Sequence, residues 1–317
     1  MSDNGTSYEC VIVGGGAAGL SAALVLGRAR RRVLVLDAGE QSNRPAHGIG
    51  GLLGHDGLAP ADLYARGHAE LAAYPSVEVR DARVTGGSRR DGAFALATAD
   101  GGEVRAARVL LAMGMDDATP SLPGVAELWG GTVFHCPYCH GWEVRDGALA
   151  VLGNTMAAHR ALLLREWSAD VALLSDGPAE LDGDERARLR RAGVPIDERP
   201  VAGLRARGAA LEAVLFADGG ELLRDGLLVA APPRQRSSLA TELGAELNER
   251  EMVDIDAFGQ TTVPGLYAAG DVSSPMPQVA GAIADGSRAA AEINADLLAE
   301  AHGMEPMIPR RAAAVPG

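Results

Sequence analysis

The stretch Cys10-Val11-Ile12-Val13-Gly14-Gly15-Gly16-Ala17-Ala18-Gly19 decides the fold. A short apolar run enters a glycine turn, and an Ala/Leu-rich segment in helical register follows to Arg28. Arg32-Val33-Leu34-Val35-Leu36 then reads as a second strand ending at Asp37, so the unit is β–turn–α–β. Gly14-x-Gly16-x-x-Gly19 has dinucleotide-fingerprint spacing. Gly14 permits the tight turn, Gly16 lets backbone N–H groups reach a pyrophosphate, and Gly19 allows close helix–strand packing. The helix N-terminus, at Ala17 and Ala18, favours the negative charge. Asp37 stands about 20 residues on, where an acid takes a ribose hydroxyl.

Working outward, Val77 to Val84, Phe94 to Thr98 and Val104 to Leu111 read as short strands between Gly/Asp turns. A Pro/Gly-marked segment from Asp116 to Gly124 reads as a linker. A second β–turn–α–β follows: strand Ala148 to Leu152, turn Gly153-Asn154-Thr155, helix Ala157 to Trp167, strand Asp170 to Leu174. A helix over roughly 179–192 comes next. Val194 to Ile196, Leu211 to Phe216 and Leu227 to Ala231 read as strands, and Val279 to Leu298 as one long helix. The tail from Gly303 reads as frayed. These elements imply an α/β protein of two Rossmann-like dinucleotide-binding domains, the second inserted in the first. The expected division is 1–117 plus 243–317, and 118–242.

The second nucleotide turn is degraded. Thr155 stands where the second glycine belongs, and its Cβ would crowd a pyrophosphate. The next strand ends in Ser175-Asp176 without an arginine cluster for a 2′-phosphate. Asp176 could still take a ribose hydroxyl. NADPH is therefore not expected, and NADH is not excluded.

The chain has 317 residues, 47% hydrophobic and 4% aromatic, with 41 glycines, which suits α/β architecture better than a β-sandwich. Its formal net charge is −13, which argues against nucleic-acid binding. Met1 to Glu9 is polar, and residues 10–26 are apolar but broken by four glycines, unlike a signal peptide or membrane span. Three cysteines make no disulfide framework, so the cytoplasm is the expected compartment.

His135-Cys136-Pro137-Tyr138-Cys139-His140-Gly141 carries the chemistry. One reading is a redox dithiol, since CxxC brings two sulfurs within disulfide reach and lowers a thiol pKa. His135 and His140 could move protons near neutral pH. Three other readings compete. Cys-x-x-Cys-His matches c-type haem attachment, a route that normally needs export. A structural zinc site wants four ligands, usually from two separated pairs, and the third cysteine, Cys10, lies in the first strand, where it reads as core. An inert buried pair fits poorly with polar flanks. No metal is expected.

Together, the Gly14–Gly19 fingerprint, the Cys pair and Thr262 to Asp271 resemble the thioredoxin reductase superfamily over essentially the whole chain. The resemblance implies FAD. It assigns Gly270 and Asp271 to the flavin ribitol and phosphates, and Gln278 and Val279 to the start of the last helix beneath the ring. Cys-Pro-Tyr-Cys-His-Gly-Trp-Glu is similar to one branch, the dithiol oxidases that close the disulfides of gliotoxin, holomycin and romidepsin. Their flavin-contacting loop is similar to 37–44, with Asn43 as the contact. This resemblance implies a small dithiol substrate, Cys136 as the sulfur attacked first, O2 as electron acceptor with H2O2 as product, and a homodimer. Two alternatives remain: a thioredoxin reductase-like enzyme reducing a protein disulfide with NAD(P)H or ferredoxin, and a flavin redox sensor without turnover. Gly48 to Gly54 reads equally as a substrate wall or as a plain loop.

Overall fold

The computed structural model describes residues 7–90, 92–306 and 308. Most of the polar start and the last stretch of the tail expected to fray lie outside the described residues. The first elements are β1 (Ser7–Val13), α1 (Ala17–Arg28), β2 (Val33–Asp37), α2 (Pro60–Leu71), β3 (Val77–Asp81), β4 (Val84–Arg90), β5 (Ala93–Thr98) and β6 (Glu103–Leu111). Next come β7 (Met115–Asp117), α3 (Val125–Leu128), β8 (Val133–Phe134), α4 (Pro137–His140), β9 (Ala148–Leu152), α5 (Ala157–Leu164), β10 (Asp170–Leu174) and α6 (Gly183–Arg191). The rest are β11 (Ile196–Asp197), β12 (Val201–Arg207), β13 (Ala210–Phe216), β14 (Glu221–Leu223), β15 (Gly226–Val229), β16 (Pro233–Gln235), α7 (Leu239–Glu242), β17 (Leu266–Ala268) and α8 (Val279–His302).

The chain divides into two compact units, residues 1–42, 61–116 and 234–317, and residues 43–60 and 117–233. This division differs from the expected one at three places, the smallest being residue 117, which groups with the second unit. Residues 234–242 group with the first unit, where Leu239 and Ala240 of α7 join its core. Residues 43–60, including Asn43, group with the second.

In the first unit the sheet runs β3-β2-β1-β6-β5-β4, with β17 also on β6. β6 forks. Its first half pairs antiparallel with β5 (Phe94↔Ala106), and its second half pairs parallel with β17 (Leu266↔Val109). β1 pairs parallel with both β2 and β6. A parallel sheet is covered on both faces, so its strands are apolar throughout, and all five residues of β2 are buried. β1 divides its side chains by the two-residue period: Val11 and Val13 enter one core, Cys10 and Ile12 the other. Cys10 is fully buried, as expected for a core residue, and burial pushes its thiol up to about 12. The apolar run 77–84 is two strands, because β3 pairs parallel with β2 whereas β4 turns back to pair antiparallel with β5.

In the second unit a parallel sheet runs β11-β10-β9-β15-β8, and β12-β13-β14 form a separate antiparallel sheet. β9 divides likewise, with Ala150 and Leu152 in one core and Leu149 and Val151 in the other. The helix expected from 179 starts at Gly183, because Asp182 caps it. Its side chain accepts from Glu185 N (2.7 Å), and the Glu185 carboxylate accepts from Asp182 N (3.1 Å).

Candidate active site

Ligands of open α/β sheets sit beyond the carboxyl ends of the strands, at the point where chain order reverses. In the first unit that point lies beyond β1, between β2 and β6, and the fingerprint glycines line it. Gly14 has φ +109°, and an added Cβ would lie 2.3 Å from Ala112 O at the end of β6. A Cβ on Gly19 would lie 1.9 Å from Gly14 O, so only glycine lets α1 pack this close to the strand end. Gly16 precedes α1, and its Cβ direction is open except for Gln41 at 3.8 Å. This bare backbone leads into the helix N-terminus at Ala17 and Ala18.

Asp37 ends β2 and is buried. Its carboxylate accepts from Gly39 N (2.9 Å) and from the Gln41 amide (3.2 Å to each oxygen). His68 Nε2, on α2, lies 3.7 Å away. Gln41 lies within 37–44, where the resemblance points to Asn43 instead, and His68 carries no motif; only the approach of α2 and the 39–41 turn to Asp37 gives these two side chains a role. Gly15 is also more than a spacer, because a Cβ there would meet Asp37 Oδ2 at 2.3 Å.

The same unit brings the distant motif to the same place. Gly270 (φ +77°) follows β17, and its Cβ direction faces the Ala18 Cβ at 3.0 Å. Gly286 of α8 lies against Ala18 O, where an added Cβ would come within 2.0 Å. Gln278 is the N-cap residue of α8, and Val279 is its first residue. The residues Gly14, Gly16, Ala17, Ala18, Gly19, Asp37, Gly270, Asp271, Gln278 and Val279 therefore all lie within the first unit. Asn43 lies in the segment grouped with the second.

The Cys pair sits past the carboxyl end of β8, the edge strand held by β15 (Leu227↔Val133). Cys136 is the N-cap residue of the single-turn α4. Pro137 opens the turn, where its missing N–H costs nothing. Cys139 N and His140 N both donate to Cys136 O at 3.2 Å. The turn brings the two cysteines to 5.3 Å between Cα atoms, and they form a disulfide. Gly141 closes the turn. A Cβ there would meet Pro137 O at 2.6 Å and the Trp167 ring at 2.9 Å.

The two histidines differ. His140 stacks on Phe134 (5.7 Å, 16°), and among the described residues both its ring nitrogens are buried without a hydrogen-bond partner. The carbonyls of Gly130 and Cys136 lie near enough to favour the charged ring somewhat, but neither completes a bond. Burial, then repulsion from His135, hold its pKa below the ordinary imidazole value, which favours the neutral ring. His135 stacks on Trp129 (5.4 Å, 24°), with Nδ1 4.0 Å from Asp117 Oδ2. Residues 43–60 pack against this region: Gly130 approaches Pro45, and Gly50 lies against the Cys139 backbone.

The second nucleotide turn is held by other bonds. Asn154 donates to Ser175 O and Pro178 O, both at 3.3 Å, and accepts from Glu180 N at 3.0 Å. Asp176 has φ +56° and accepts from Val201 N at 2.7 Å, so one of its carboxylate oxygens already supports β12. Met156, with φ +50°, is the N-cap residue of α5 and is exposed.

A glycine cradle of the dinucleotide type and a CxxC disulfide define a nucleotide-dependent disulfide oxidoreductase. The chain belongs to the pyridine nucleotide-disulphide oxidoreductase family, whose profile matches residues 8–286. Among its relatives is a protein called thioredoxin reductase tcpT from Claviceps purpurea (strain 20.1). It is 32% identical over 316 residues, covering 95% of this chain and 98% of that protein. Thioredoxin reductase sirT of Leptosphaeria maculans is 28% identical, covering 90% and 93%. Among solved structures, that of HlmI superposes with a TM-score of 0.89 at 38% identity, covering 95% and 96%. An oxidoreductase from Agrobacterium tumefaciens superposes with a TM-score of 0.87 at 36% identity, covering 92% and 99%. The chain is thus an oxidoreductase of the thioredoxin reductase type, and the family's cofactor is a flavin. The first unit fits FAD: its glycine turn is bare where a pyrophosphate would lie, and an acid stands at the end of β2. Among the described residues, no helix is long and apolar enough to cross a membrane.

Proposed function

We propose that the chain is an FAD-dependent dithiol oxidase that closes an intramolecular disulfide in a small dithiol. The observation that carries this reading is His140, a buried imidazole next to Cys139 whose ring nitrogens make no hydrogen bond among the described residues. Withdrawing protons from thiols needs such a base. Reducing a protein disulfide with a pyridine nucleotide needs a second nucleotide site, and here Asn154 is engaged in holding its turn and one Asp176 oxygen in holding β12.

FAD would be held by Gly14, Gly16, Ala17, Ala18, Gly19, Asp37, Gly270, Asp271, Gln278 and Val279, with Asn43 as a further contact. When bound, it supplies a two-electron acceptor that O2 restores, yielding H2O2. The chain's own residues do the sulfur chemistry. His140 takes the proton of a substrate thiol. The thiolate attacks Cys136 Sγ, the Cys136–Cys139 bond breaks, and Cys139 leaves as a thiolate. The substrate's second thiolate attacks its own sulfur in the mixed disulfide and expels Cys136 as a thiolate. The substrate has lost two electrons and two protons, and the cysteines hold the electron pair. His135 is a secondary proton carrier.

The test is anaerobic mixing of the yellow protein with a small dithiol, NADH or NADPH in turn, followed by air. Bleaching by the dithiol and recovery in air with peroxide formed is the expected result. Fast bleaching by a nicotinamide would instead mark a reductase, and no bleaching at all a sensor.

A further inference from the structure

The CxxC turn is too short to hold itself. α4 is a single turn, Pro137–His140, and one turn fixes several backbone torsions for very few hydrogen bonds. Those bonds run from Cys139 N and His140 N to Cys136 O, both at 3.2 Å, and from Gly141 N to Pro137 O at 2.7 Å. One side chain from outside the turn meets it on both sides of Cys139. Before Cys139, the Tyr138 ring meets the Trp167 ring edge-on, with centroids 5.4 Å apart at 84°. After it, Gly141 lies against the same indole, where an added Cβ would stand 2.9 Å from Cγ and 3.0 Å from Cδ1. Tyr138 is 59% exposed, so burial alone does not fix its ring.

Trp167 is itself firmly mounted. It follows α5, where its N–H donates to Leu164 O at 3.1 Å, and Leu164 is fully buried. Its carbonyl accepts from Asp146 N (2.9 Å), and the Ser168 hydroxyl donates to Gly147 O (2.5 Å). The corner at 167–168 therefore also ties down the segment that leaves the turn. We propose that Trp167 is a positioning residue of the redox centre: by holding Tyr138 and Gly141 it keeps α4 folded when the cysteines are reduced, and so sets how easily the Cys136–Cys139 disulfide opens. In the disulfide form the covalent bond already confines the turn. In the dithiol form only the backbone bonds and Trp167 do. Keeping two thiols face to face raises their effective concentration and favours the disulfide. Losing the indole lets the dithiol turn spread, and the disulfide becomes easier to reduce. An aromatic edge contact shifts such an equilibrium by roughly two- to tenfold. The inference goes beyond the oxidase reading and holds for either direction of electron flow.

The test equilibrates the flavin-loaded protein with glutathione buffers without oxygen. Two glutathione thiols lose two electrons and two protons and become oxidised glutathione, while the Cys136–Cys139 bond takes up both and becomes two thiols. Acid quench, alkylation and mass read the dithiol fraction, and circular dichroism shows that each variant is folded. In Trp167→Leu the value of [GSH]²/[GSSG] at half-reduction should fall roughly two- to tenfold, tenfold being about 30 mV. Tyr138→Leu should shift it in the same direction, and the double variant no further than Trp167→Leu, because one contact is removed twice. Trp167→Phe, which keeps a ring, should lie between wild type and Trp167→Leu. An unchanged value in Tyr138→Leu, whose exposed position leaves the fold intact, would overturn the proposal even if Trp167→Leu failed to fold. So would additive shifts in the double variant. Lower thermal stability of Trp167→Leu with an unchanged value would mark the indole as mere support and overturn it too. Absence of peroxide on admitting air would sink the oxidase reading and leave this equilibrium test standing.

Discussion

Gly15→Ala separates the cofactor-binding role proposed for Asp37 from its place in the fold. Gly15 does not adopt positive φ, so alanine costs its backbone little. The added Cβ, however, would lie 2.3 Å from Asp37 Oδ2 and 2.4 Å from its Cγ. Real carbon–oxygen contacts do not come that close, so the Asp37 carboxylate must swing away. That movement breaks the bonds from Gly39 N (2.9 Å) and the Gln41 amide (3.2 Å) and removes the acceptor proposed for the ribose hydroxyl. A hydrogen bond to a charged group is worth about 1.5–3 kcal/mol. At about 1.4 kcal/mol per tenfold, FAD should bind roughly 10- to 150-fold more weakly. The assay is titration of flavin-free protein with FAD, followed by quenching of flavin fluorescence, with circular dichroism to show that the variant is folded. Asp37→Asn, which keeps the shape and removes the charge, should weaken binding in the same direction. A folded Gly15→Ala variant with wild-type FAD affinity would refute the assignment of Asp37 to the ribose.

Three further outcomes are expected. Cys136→Ser and Cys139→Ser should each abolish dithiol oxidation while the protein stays yellow, as measured by peroxide release; a fully active single variant would remove the disulfide from the mechanism. His140→Ala should slow oxidation by about 10²–10⁴-fold at neutral pH. Because burial lowers the His140 pKa, the ring binds fewer protons folded than unfolded. Stability should therefore rise with pH across the window below the ordinary imidazole value of about 6.5, and the acid limb of the rate profile should lie below that value. An unchanged acid limb in His140→Ala would assign the limb to another group. Arg108→Ala should destabilise the first unit by about 3–5 kcal/mol in urea unfolding, since it strands a buried carboxylate. Arg108 Nε donates to Asp296 Oδ2 at 2.6 Å, and the Tyr267 hydroxyl donates to the same oxygen at 3.0 Å. A loss under 1 kcal/mol would show that the pair is exposed to water in solution.

Much of the fold is legible in the residues because its signals are local. Gly14, Gly16 and Gly19 occupy positions where an added Cβ would strike backbone or crowd a ligand, and a six-residue motif suffices to reveal them. The short strands β8, β12 and β14 and the single-turn α4 escape a reading by periodicity. Elements of two to seven residues hold too few repeats to show a pattern, and they persist because neighbours hold them, as β15 holds β8. Gln41 and His68 escape for another reason: nothing in their own surroundings marks them, and only the carboxylate of Asp37 gives them a role.

The two β–turn–α–β units, the glycine turn, the acid at position 37 and a cysteine pair spaced for one disulfide are written in the residues themselves. All of these follow from backbone sterics and from separations of a few residues. That the Gly270 motif closes on Ala18 from 252 positions away is visible only once the chain is folded. The folded chain alone shows that Asp176 is engaged by Val201, that the ring nitrogens of His140 are buried without a hydrogen bond among the described residues, and that the 48–58 loop rests on Cys139. These are contacts between segments distant in the chain, set by how sheets and loops pack, and no local spacing encodes them.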